Sequence, residues 1–334
     1  MSTGYLIDGV APGGGGPSLM TPMGAWTENV PTGDGVGVRR IRTYDDGTYM
    51  WLQPPLSRAL KTDLLNVHTM LRPSEIPNNV PANYFGWIVV SGVFYCYGGT
   101  ASATDDTYSA NVSIDRIFSG PASDLTQLSE STNKLPAVKG RVTAIKNDSY
   151  VYLLGGSDGG RIYRAPLADP TSFTDVGAQT FGSSTNTVGA YQAGSTVYVI
   201  ESNGTTLNNI YSSAYTDLET WVDTGANFPG VFVWDVIFRV GNTFYAVGAG
   251  DANTESADVY FASLDDPTNW HAMTGAAPIP ELGATAVYVT EDAVYCYGGY
   301  VNNVYTNRIW SLTGGSKALT TEPTAANGQC RPLY

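Results

Sequence analysis

Residues 149–156 read SYVYLLGG, and residues 292–299 read DAVYCYGG. The tyrosine at the fourth position of both segments belongs to a column of six aromatic residues, which are Trp51, Tyr95, Tyr152, Tyr198, Tyr245 and Tyr295. Successive members lie roughly fifty residues apart, a period typical of β-propellers and solenoid arrays, in which each copy folds as one unit against its neighbours. This repeat decides the architecture of the chain.

Each copy of the repeat contains the material for four strands. A half-buried segment such as GRVTAIKND at residues 140–148 precedes the column, and a segment such as GRIYRAPL at residues 160–167 follows it. The column segment is almost continuously apolar, which is typical of a strand covered on both faces. The Gly-Gly pair that ends it permits positive φ and close backbone approach. With a fourth strand at a polar box, the sequence predicts an all-β fold: a six-bladed β-propeller of four-stranded antiparallel blades.

The polar box precedes the fourth strand in five copies, as in SDLTQL at residues 123–128 and TDLETW at residues 216–221. An aspartate stands four positions before an apolar residue in every box. The pairs are Asp63 with Val67, Asp124 with Leu128, Asp169 with Phe173, Asp217 with Trp221 and Asp266 with Trp270. We expect each carboxylate to form a turn by accepting a backbone N–H two residues on. The apolar residue should be buried where the fourth strand begins.

Trp26 predicts how the ring closes. It precedes Trp51 by the interval that separates box and column in the other copies, although it lacks the aspartate box. The N-terminal strand near Trp26 should therefore pair with the last repeat and remove the open edge of the ring. The predicted organisation is a Gly/Pro-rich N-terminal arm at 1–21, the propeller at 22–315 and a C-terminal tail at 316–334.

Composition limits the classes of partner. The chain has 30 acidic and 17 basic residues and a formal net charge of -13, which disfavours nucleic-acid binding because that interaction requires clustered Lys and Arg. The start of the chain lacks the pattern of a secretory signal peptide, and no apolar run approaches the length of a membrane span. Cys96 and Cys296 occupy equivalent positions in two copies and are expected to be small buried apolar residues. They leave the redox compartment undecided.

The sequence offers no convincing catalytic set. Its two histidines, His68 and His271, follow box residues of different copies, so they should lie on separate outer strands and not share a metal. Arg39, Arg40 and Arg42 form the densest basic patch, but neighbours on a strand point to opposite faces. Adjacent acidic residues in predicted turns could bind Ca²⁺ or act on glycosides, although such residues are more often only solvated. We expect no metal, no cofactor and no enzymatic activity.

Aromatic residues near predicted loops are the better candidates for binding. The candidates are Tyr84, Trp87, Tyr108, Tyr300 and Tyr305. Aromatic rings beside Asn and Asp are typical of carbohydrate-facing surfaces, where a ring stacks on a sugar and amides bind its hydroxyls. The competing interpretation is that these rings serve only in packing.

The repeat resembles the kelch repeat, in which an apolar run and Gly-Gly are followed by a spaced aromatic residue. Gly156 to Tyr163 and Gly299 to Trp310 have this spacing, and the resemblance covers roughly residues 22–315. The diglycine is intact in three copies, and Asn203-Gly204, for example, replaces it in another. The opening GYLIDGV, followed by a Gly-rich arm, resembles the start of some bacteriophage tail and virion proteins.

These resemblances imply a non-enzymatic structural or adhesion component of a bacteriophage virion. Such a protein would be made in the host cytoplasm and located in the virion in multiple copies. It would contact other virion proteins through its N-terminal arm or one propeller face, and a host-surface glycan or protein through its loops. The alternative is a glycan-binding or glycan-active propeller enzyme. A third, weaker interpretation is a cellular kelch-type scaffold.

Overall fold

The computed structural model describes the strands, turns and most side chains of the central part of the chain, and only short strands on either side of it. The described residues are 5–6, 27–29, 42–45, 49–53, 60–63, 66–71, 85–102, 111–140, 142–156, 158–177, 187–202, 208–230, 236–240, 242–249, 258–272, 286–289, 293–297, 300–301, 304–305, 309–313 and 331–332. Side chains are described between residues 85 and 272.

The described elements are strands apart from one 3₁₀ turn, Leu125–Gln127. The strands of the first half of the chain are β1 (Tyr5–Leu6), β2 (Thr27–Asn29), β3 (Arg42–Asp45), β4 (Tyr49–Gln53), β5 (Leu60–Asp63), β6 (Asn66–Leu71), β7 (Gly86–Val90), β8 (Val93–Tyr97), β9 (Thr100–Ser102), β10 (Asn111–Ser113), β11 (Arg116–Pro121), β12 (Ser129–Lys134), β13 (Thr143–Lys146), β14 (Tyr150–Leu154), β15 (Tyr163–Pro166) and β16 (Thr174–Asp175).

The second half of the chain continues the same succession of short strands. They are β17 (Thr187–Ala193), β18 (Thr196–Ser202), β19 (Asn209–Ala214), β20 (Val222–Asn227), β21 (Val236–Val240), β22 (Thr243–Ala249), β23 (Asp258–Ser263), β24 (Asp266–Ala272), β25 (Ala286–Val289), β26 (Ala293–Tyr297), β27 (Tyr300–Val301), β28 (Val304–Tyr305), β29 (Ile309–Thr313) and β30 (Arg331–Pro332).

Four-stranded antiparallel sheets dominate the described residues, which confirms the predicted all-β class and the unit of four strands per repeat. Side chains are described in sheet 2 (β7-β8-β11-β12), sheet 3 (β13-β14-β15-β16), sheet 4 (β17-β18-β19-β20) and sheet 5 (β21-β22-β23-β24). Backbone pairing alone is described for sheet 1 (β3-β4-β5-β6) and sheet 6 (β25-β26-β29-β2). Shorter two-stranded pairings join β9 to β10, β27 to β28 and β1 to β30.

The aromatic column occupies the second strand of every sheet. Tyr152 on β14 pairs with Ile145 on β13, and Tyr245 on β22 pairs with Phe238 on β21 in the same register. Tyr152 and Tyr245 are buried, whereas Tyr95 and Tyr198 at the same position of sheets 2 and 4 are half-buried. The period of the repeat is therefore the number of residues along the chain from one sheet to the next.

Sheet 6 combines strands from the two ends of the chain. Strand β2 pairs antiparallel with β29, so that Thr27 lies opposite Ser311, Glu28 opposite Trp310 and Asn29 opposite Ile309. The other edge of β29 pairs with β26. The strand directly after Trp26 is therefore the outer member of a sheet whose other strands come from residues 286–313.

The core of the molecule lies between successive sheets. One apolar cluster joins sheets 2 and 3, another joins sheets 3 and 4, and a third joins sheets 4 and 5. The first strands of successive sheets also contact each other, as β7 does with β13, β13 with β17, β17 with β21, β21 with β25, and β25 with β3. Sheets 2 to 5 therefore pack face to face in chain order, with their first strands on the side that neighbouring sheets share.

Three of the box residues, Leu128, Trp221 and Trp270, are buried as the sequence predicts. Phe173 is only half-buried, and the side chain of Val67 lies outside the described residues. Phe173 of sheet 3 packs edge-on against Tyr97 of sheet 2, with 5.0 Å between ring centroids. Trp270 of sheet 5 meets Tyr191 of sheet 4 in the same manner, at 5.5 Å. The large side chain at the end of three boxes, Phe173, Trp221 and Trp270, thus packs its sheet against the preceding one.

Three of the four box aspartates whose side chains are described form the expected turns. The Oδ1 atom of Asp124 accepts the backbone N–H of Thr126 at 3.0 Å, and that of Asp169 accepts the N–H of Thr171 at 3.2 Å. Asp217 accepts the N–H of Glu219 at 3.3 Å. Asp266 differs, because it begins β24 and accepts the side-chain amide of Asn269 instead.

Candidate functional site

The predicted binding aromatics fall into three groups. Trp87 lies in β7 with 3 % of its surface exposed, and its ring stacks on Phe94 at a centroid distance of 5.4 Å. Its ring is therefore part of the packed core of sheet 2 and is not presented at the surface. Tyr300 and Tyr305 face each other as Cα partners in the β27–β28 ribbon, so the structure brings these two together. Tyr84 and Tyr108 lie outside the described residues.

The two histidines occupy the outer strands of different sheets, as their position in the repeat predicts. His68 lies in β6 of sheet 1 and His271 in β24 of sheet 5. Between residues 85 and 272, where side chains are described, no group of three or more His, Cys, Asp or Glu is arranged to hold a metal ion. Within the described residues, no helix has the length and apolarity needed to cross a membrane.

Polar contacts connect two of the boxes, those at 168–173 and 216–221, to the sheet before each of them. The amide of Asn133 on β12 donates to the hydroxyl of Thr171 in the next box at 2.8 Å. Arg164 on β15 pairs with Glu219 in the following box, and its guanidinium lies 4.6 Å from the ring centroid of Tyr150. These contacts link sheet 2 to sheet 3 and sheet 3 to sheet 4 on the same side of the sheets.

The most unusual polar group is Lys139, which lies in the connection between sheets 2 and 3. Its backbone N–H donates to the carbonyl of Ile114 at 3.0 Å, and its carbonyl accepts the N–H of Gly99 at 2.8 Å. Both bonds fix the backbone of Lys139 on sheet 2. Its side chain leaves that sheet and enters sheet 3, with 0 % of the side chain exposed.

The Lys139 ammonium is held by three groups of sheet 3. Its Nζ atom donates to Oδ1 of Asp158 at 2.8 Å and to the carbonyl oxygen of Arg161 at 2.7 Å. It also lies 4.5 Å from the ring centroid of Tyr163, a distance at which the ring face attracts a cation. The Asp158 side chain is itself only 7 % exposed. The result is an ion pair that joins two sheets and is almost fully excluded from water.

Two of the Gly-Gly pairs of the repeat create the space for this lysine. Gly98 has φ +59, and a Cβ there would lie 2.1 Å from the carbonyl oxygen of Lys139. Gly156 has φ +109, and a Cβ there would lie 2.8 Å from Cγ of Lys139. Both positions need glycine for its positive φ and for the missing side chain. The predicted role of the diglycine, close backbone approach, is confirmed at these two copies.

Burial dominates the electrostatics of the cluster. It lowers the pKa of Lys139 to about 8, although the charge and hydrogen bond of Asp158 oppose this shift. Burial also raises the pKa of Tyr163, and the neighbouring Asp158 carboxylate adds to the effect. Lys139 is therefore a buried amine that can lose its proton near neutral pH. Tyr163 beside it remains a protonated phenol.

Sequence reasoning missed Lys139 and Asp158. Periodicity gives no reason to select a single lysine in the connection LPAVKGRV or an aspartate in the loop GGSDGGR. The signal in the sequence was the two glycine pairs, because adjacent glycines indicate that another part of the chain approaches the backbone closely. These pairs are Gly98-Gly99 and Gly155-Gly156. Only the structure identifies the approaching part of the chain as Lys139.

The sequence matches no protein-family model and no curated protein. The geometry of the described residues therefore has to support any assignment of function.

Proposed function

We propose that this chain is a non-enzymatic, six-bladed β-propeller that acts as a structural or adhesion component of a bacteriophage virion. In this proposal the six sheets are blades around one axis, with their first strands innermost. The pairing of β2 with β29 is the observation that supports the closed ring. It joins the beginning of the chain to the last repeat, which is how a propeller avoids an open edge.

Contacts between the first strands support the ring. They run from sheet 2 through sheets 3, 4, 5 and 6 to sheet 1. The apolar clusters between sheets 2, 3, 4 and 5 support the same order, because each blade of a propeller buries its faces against its two neighbours. A ring built in this way is rigid and presents its loops on two opposite faces.

The terminal segments provide the attachment in this proposal. Strand β1 of the N-terminal arm pairs with β30 of the C-terminal tail, so the arm and the tail form one attachment point for other virion proteins. The loops and one face then remain available for a host-surface glycan or protein. The resemblance of GYLIDGV to the start of phage tail and virion proteins supports a location in the virion.

The virion assignment has a direct test. Mass spectrometry of purified phage particles, taken through a density gradient to remove lysate proteins, should detect this chain at a copy number above one per particle. Its absence from repeated particle preparations, with known structural proteins detected, would refute the assignment. The ring itself is tested separately by electron-microscopy averages of the isolated protein. Six blades are expected, and an open stack of sheets would contradict closure.

A second candidate function is glycan binding without a virion role. It is favoured by the placement of Tyr300 and Tyr305 directly opposite each other on β27–β28, since paired aromatic residues are suited to stacking on sugar rings. A glycan array with the intact protein tests this candidate. Binding should be lost in Tyr300→Ala and Tyr305→Ala and retained in Tyr215→Ala, which changes a half-buried tyrosine in the turn between β19 and β20.

A further inference from the structure

We propose that Lys139 and Asp158 condense to an amide bond, an isopeptide cross-link that covalently ties sheet 2 to sheet 3. The proposal goes beyond the virion assignment and does not depend on it. The two side chains already touch, with 2.8 Å between Nζ of Lys139 and Oδ1 of Asp158. A donor-to-acceptor contact of this length brings the amine nitrogen next to the carboxyl carbon that it would attack.

Both partners are held in place by their own sheets. Lys139 is fixed by its backbone bonds to Ile114 and Gly99 in sheet 2. Asp158 follows β14 and the glycine pair that precedes it, so it belongs to the β14–β15 connection of sheet 3. Proximity of this kind converts a reaction between two molecules into one within a single molecule, which is the largest available advantage for an uncatalysed condensation.

The reaction balances without any co-reactant. The Lys139 ammonium gives one proton to the Asp158 carboxylate, which leaves a neutral amine and a carboxylic acid. The nitrogen lone pair then attacks Cγ of Asp158, and a carbon–oxygen bond of the tetrahedral intermediate breaks. The departing oxygen leaves as water with two of the three original ammonium protons. The third remains as the amide N–H.

The surroundings favour the neutral products over the ion pair. With the lysine side chain 0 % and the aspartate side chain 7 % exposed, the charged pair has lost most of its hydration, and such pairs are often no better than neutral replacements. Burial that lowers the pKa of Lys139 to about 8 also increases the fraction of neutral amine. Condensation removes both charges from the interior. The remaining amide N–H can keep the bond to the Arg161 carbonyl that Nζ makes now.

A competing reaction also loses one water. Asp158 is followed by Gly159, and an aspartate before glycine can cyclise to a succinimide by attack of the next backbone nitrogen. That product involves no lysine. It also opens again in mild base, whereas an amide cross-link survives. The test therefore has to identify the partner of Asp158 as well as the mass.

The experiment is an intact-mass measurement on the full-length protein, unfolded before injection. The expected mass is lower than the sequence mass by one water, and digestion should release a branched peptide joined through Lys139 and Asp158. Lys139→Arg keeps a cation but cannot form this bond, so it should show the full sequence mass, as should Asp158→Ala. If these variants fail to fold, the branched peptide of the unmodified protein still decides the matter.

Two results would overturn the proposal. One is a purified, folded protein with the full sequence mass after prolonged incubation at pH 8. The other is a loss of water that persists in Lys139→Arg or disappears in mild base, which would assign it to cyclisation at Asp158–Gly159.

Discussion

The indole Nε1 of Trp270 donates a hydrogen bond to the hydroxyl of Tyr191 at 3.2 Å, and so joins the outer strand of sheet 5 to the first strand of sheet 4. The same hydroxyl donates to the carbonyl of Pro267 at 2.7 Å. Tyr191 is 0 % exposed. The buried hydroxyl of Tyr191 thus provides a hydrogen-bond partner for the indole N–H of Trp270 and for the backbone carbonyl of Pro267.

Tyr191→Phe should destabilise the protein because it leaves a buried indole N–H and a carbonyl without their partner. We expect a loss of about 1–3 kcal/mol in the free energy of unfolding, measured by urea denaturation. Tyr215→Phe is the matched control, since its hydroxyl makes one exposed contact of 3.3 Å with Asp148 and its loss should fall within about 0.5 kcal/mol. Equal effects in the two variants would contradict a special role for the Tyr191 hydroxyl.

Gly98→Ala should be far more harmful than Gly194→Ala, although the two glycines have nearly the same backbone conformation. Gly98 has φ +59 and a Cβ there would meet the Lys139 carbonyl at 2.1 Å, whereas Gly194 has φ +58 and nothing within 4 Å. Gly194→Ala should lose about 1–2 kcal/mol from left-handed strain alone. Gly98→Ala adds a backbone clash and should lose at least about twice that amount, or fail to fold. Urea denaturation of both variants measures the difference, and similar losses would argue against close approach of Lys139.

The unlinked form of the protein, identified by its full sequence mass, should become more stable as pH rises above neutral. The folded pKa of Lys139 is about 8, below its ordinary value of 10.5. Between these values the unfolded chain binds more protons than the folded one, so the free energy of unfolding rises with pH, by an amount on the order of 1–3 kcal/mol. Urea denaturation at pH 7 to pH 10 measures the slope.

Lys139→Met is the reference for that slope, because it removes the titrating group and keeps an unbranched side chain of similar length. The free energy of unfolding of this variant at each pH is subtracted from that of the parent. The difference excludes the contribution of the tyrosines, which both proteins share. A difference that is flat or falls with pH would show that burial does not dominate the pKa of Lys139.

Asp124→Ala should weaken the turn that leads into β12. Its carboxylate accepts the N–H and the hydroxyl of Thr126, at 3.0 and 2.6 Å, and the side-chain amide of Gln127 at 2.7 Å. By analogy with helix N-caps, the expected loss is about 1 kcal/mol. Asp124→Asn retains one acceptor oxygen and should lose less. Thermal denaturation of both variants measures which of them loses more stability. An alanine variant as stable as the parent would contradict the role of Asp124 in this turn.

Deleting residues 1–30 should lower the Tm sharply, and by more than deleting residues 1–21, which removes only β1 and its contacts with β30, β21 and β17. Only the longer deletion removes β2 from sheet 6 and leaves the outer edge of β29 unpaired. We expect a drop of roughly 5 °C or more, together with a tendency to aggregate through the exposed edge. Calorimetry and light scattering on the two truncations provide the test, and equal Tm values would mean that β2 contributes nothing.

Much of the fold was predictable because the features of the repeat, its turns and its apolar strands, depend on interactions between residues close together in the sequence. An aspartate such as Asp169 forms its turn with residues two positions away, and a tyrosine such as Tyr152 is buried because its whole strand is apolar. The number of strands per sheet and the burial of Trp221 follow from the same short-range pattern. Placement in the series also predicted that His68 and His271 lie on separate outer strands.

The polar interior was not predictable for the opposite reason. Lys139 and Asp158 meet only after two sheets have packed, and no local rule selects them. Trp87 shows the same limit of sequence-based prediction. The segment NYFGWIVV predicts a loop followed by a strand, but it does not indicate that the ring of Trp87 stacks on Phe94. The identity of whatever the loops bind depends on side chains brought together over still longer separations.

The pairing of β2 with β29 also sets an order of events during synthesis. Residues 27–29 are synthesised before all the strands of sheets 1 to 5, but their partner strand at 309–313 is synthesised after them. Sheets 1 to 5 can therefore pair before sheet 6 has all of its strands. A chain that stops before residue 309 would leave β2 without its partner β29. Formation of sheet 6 therefore depends on synthesis having passed residue 313.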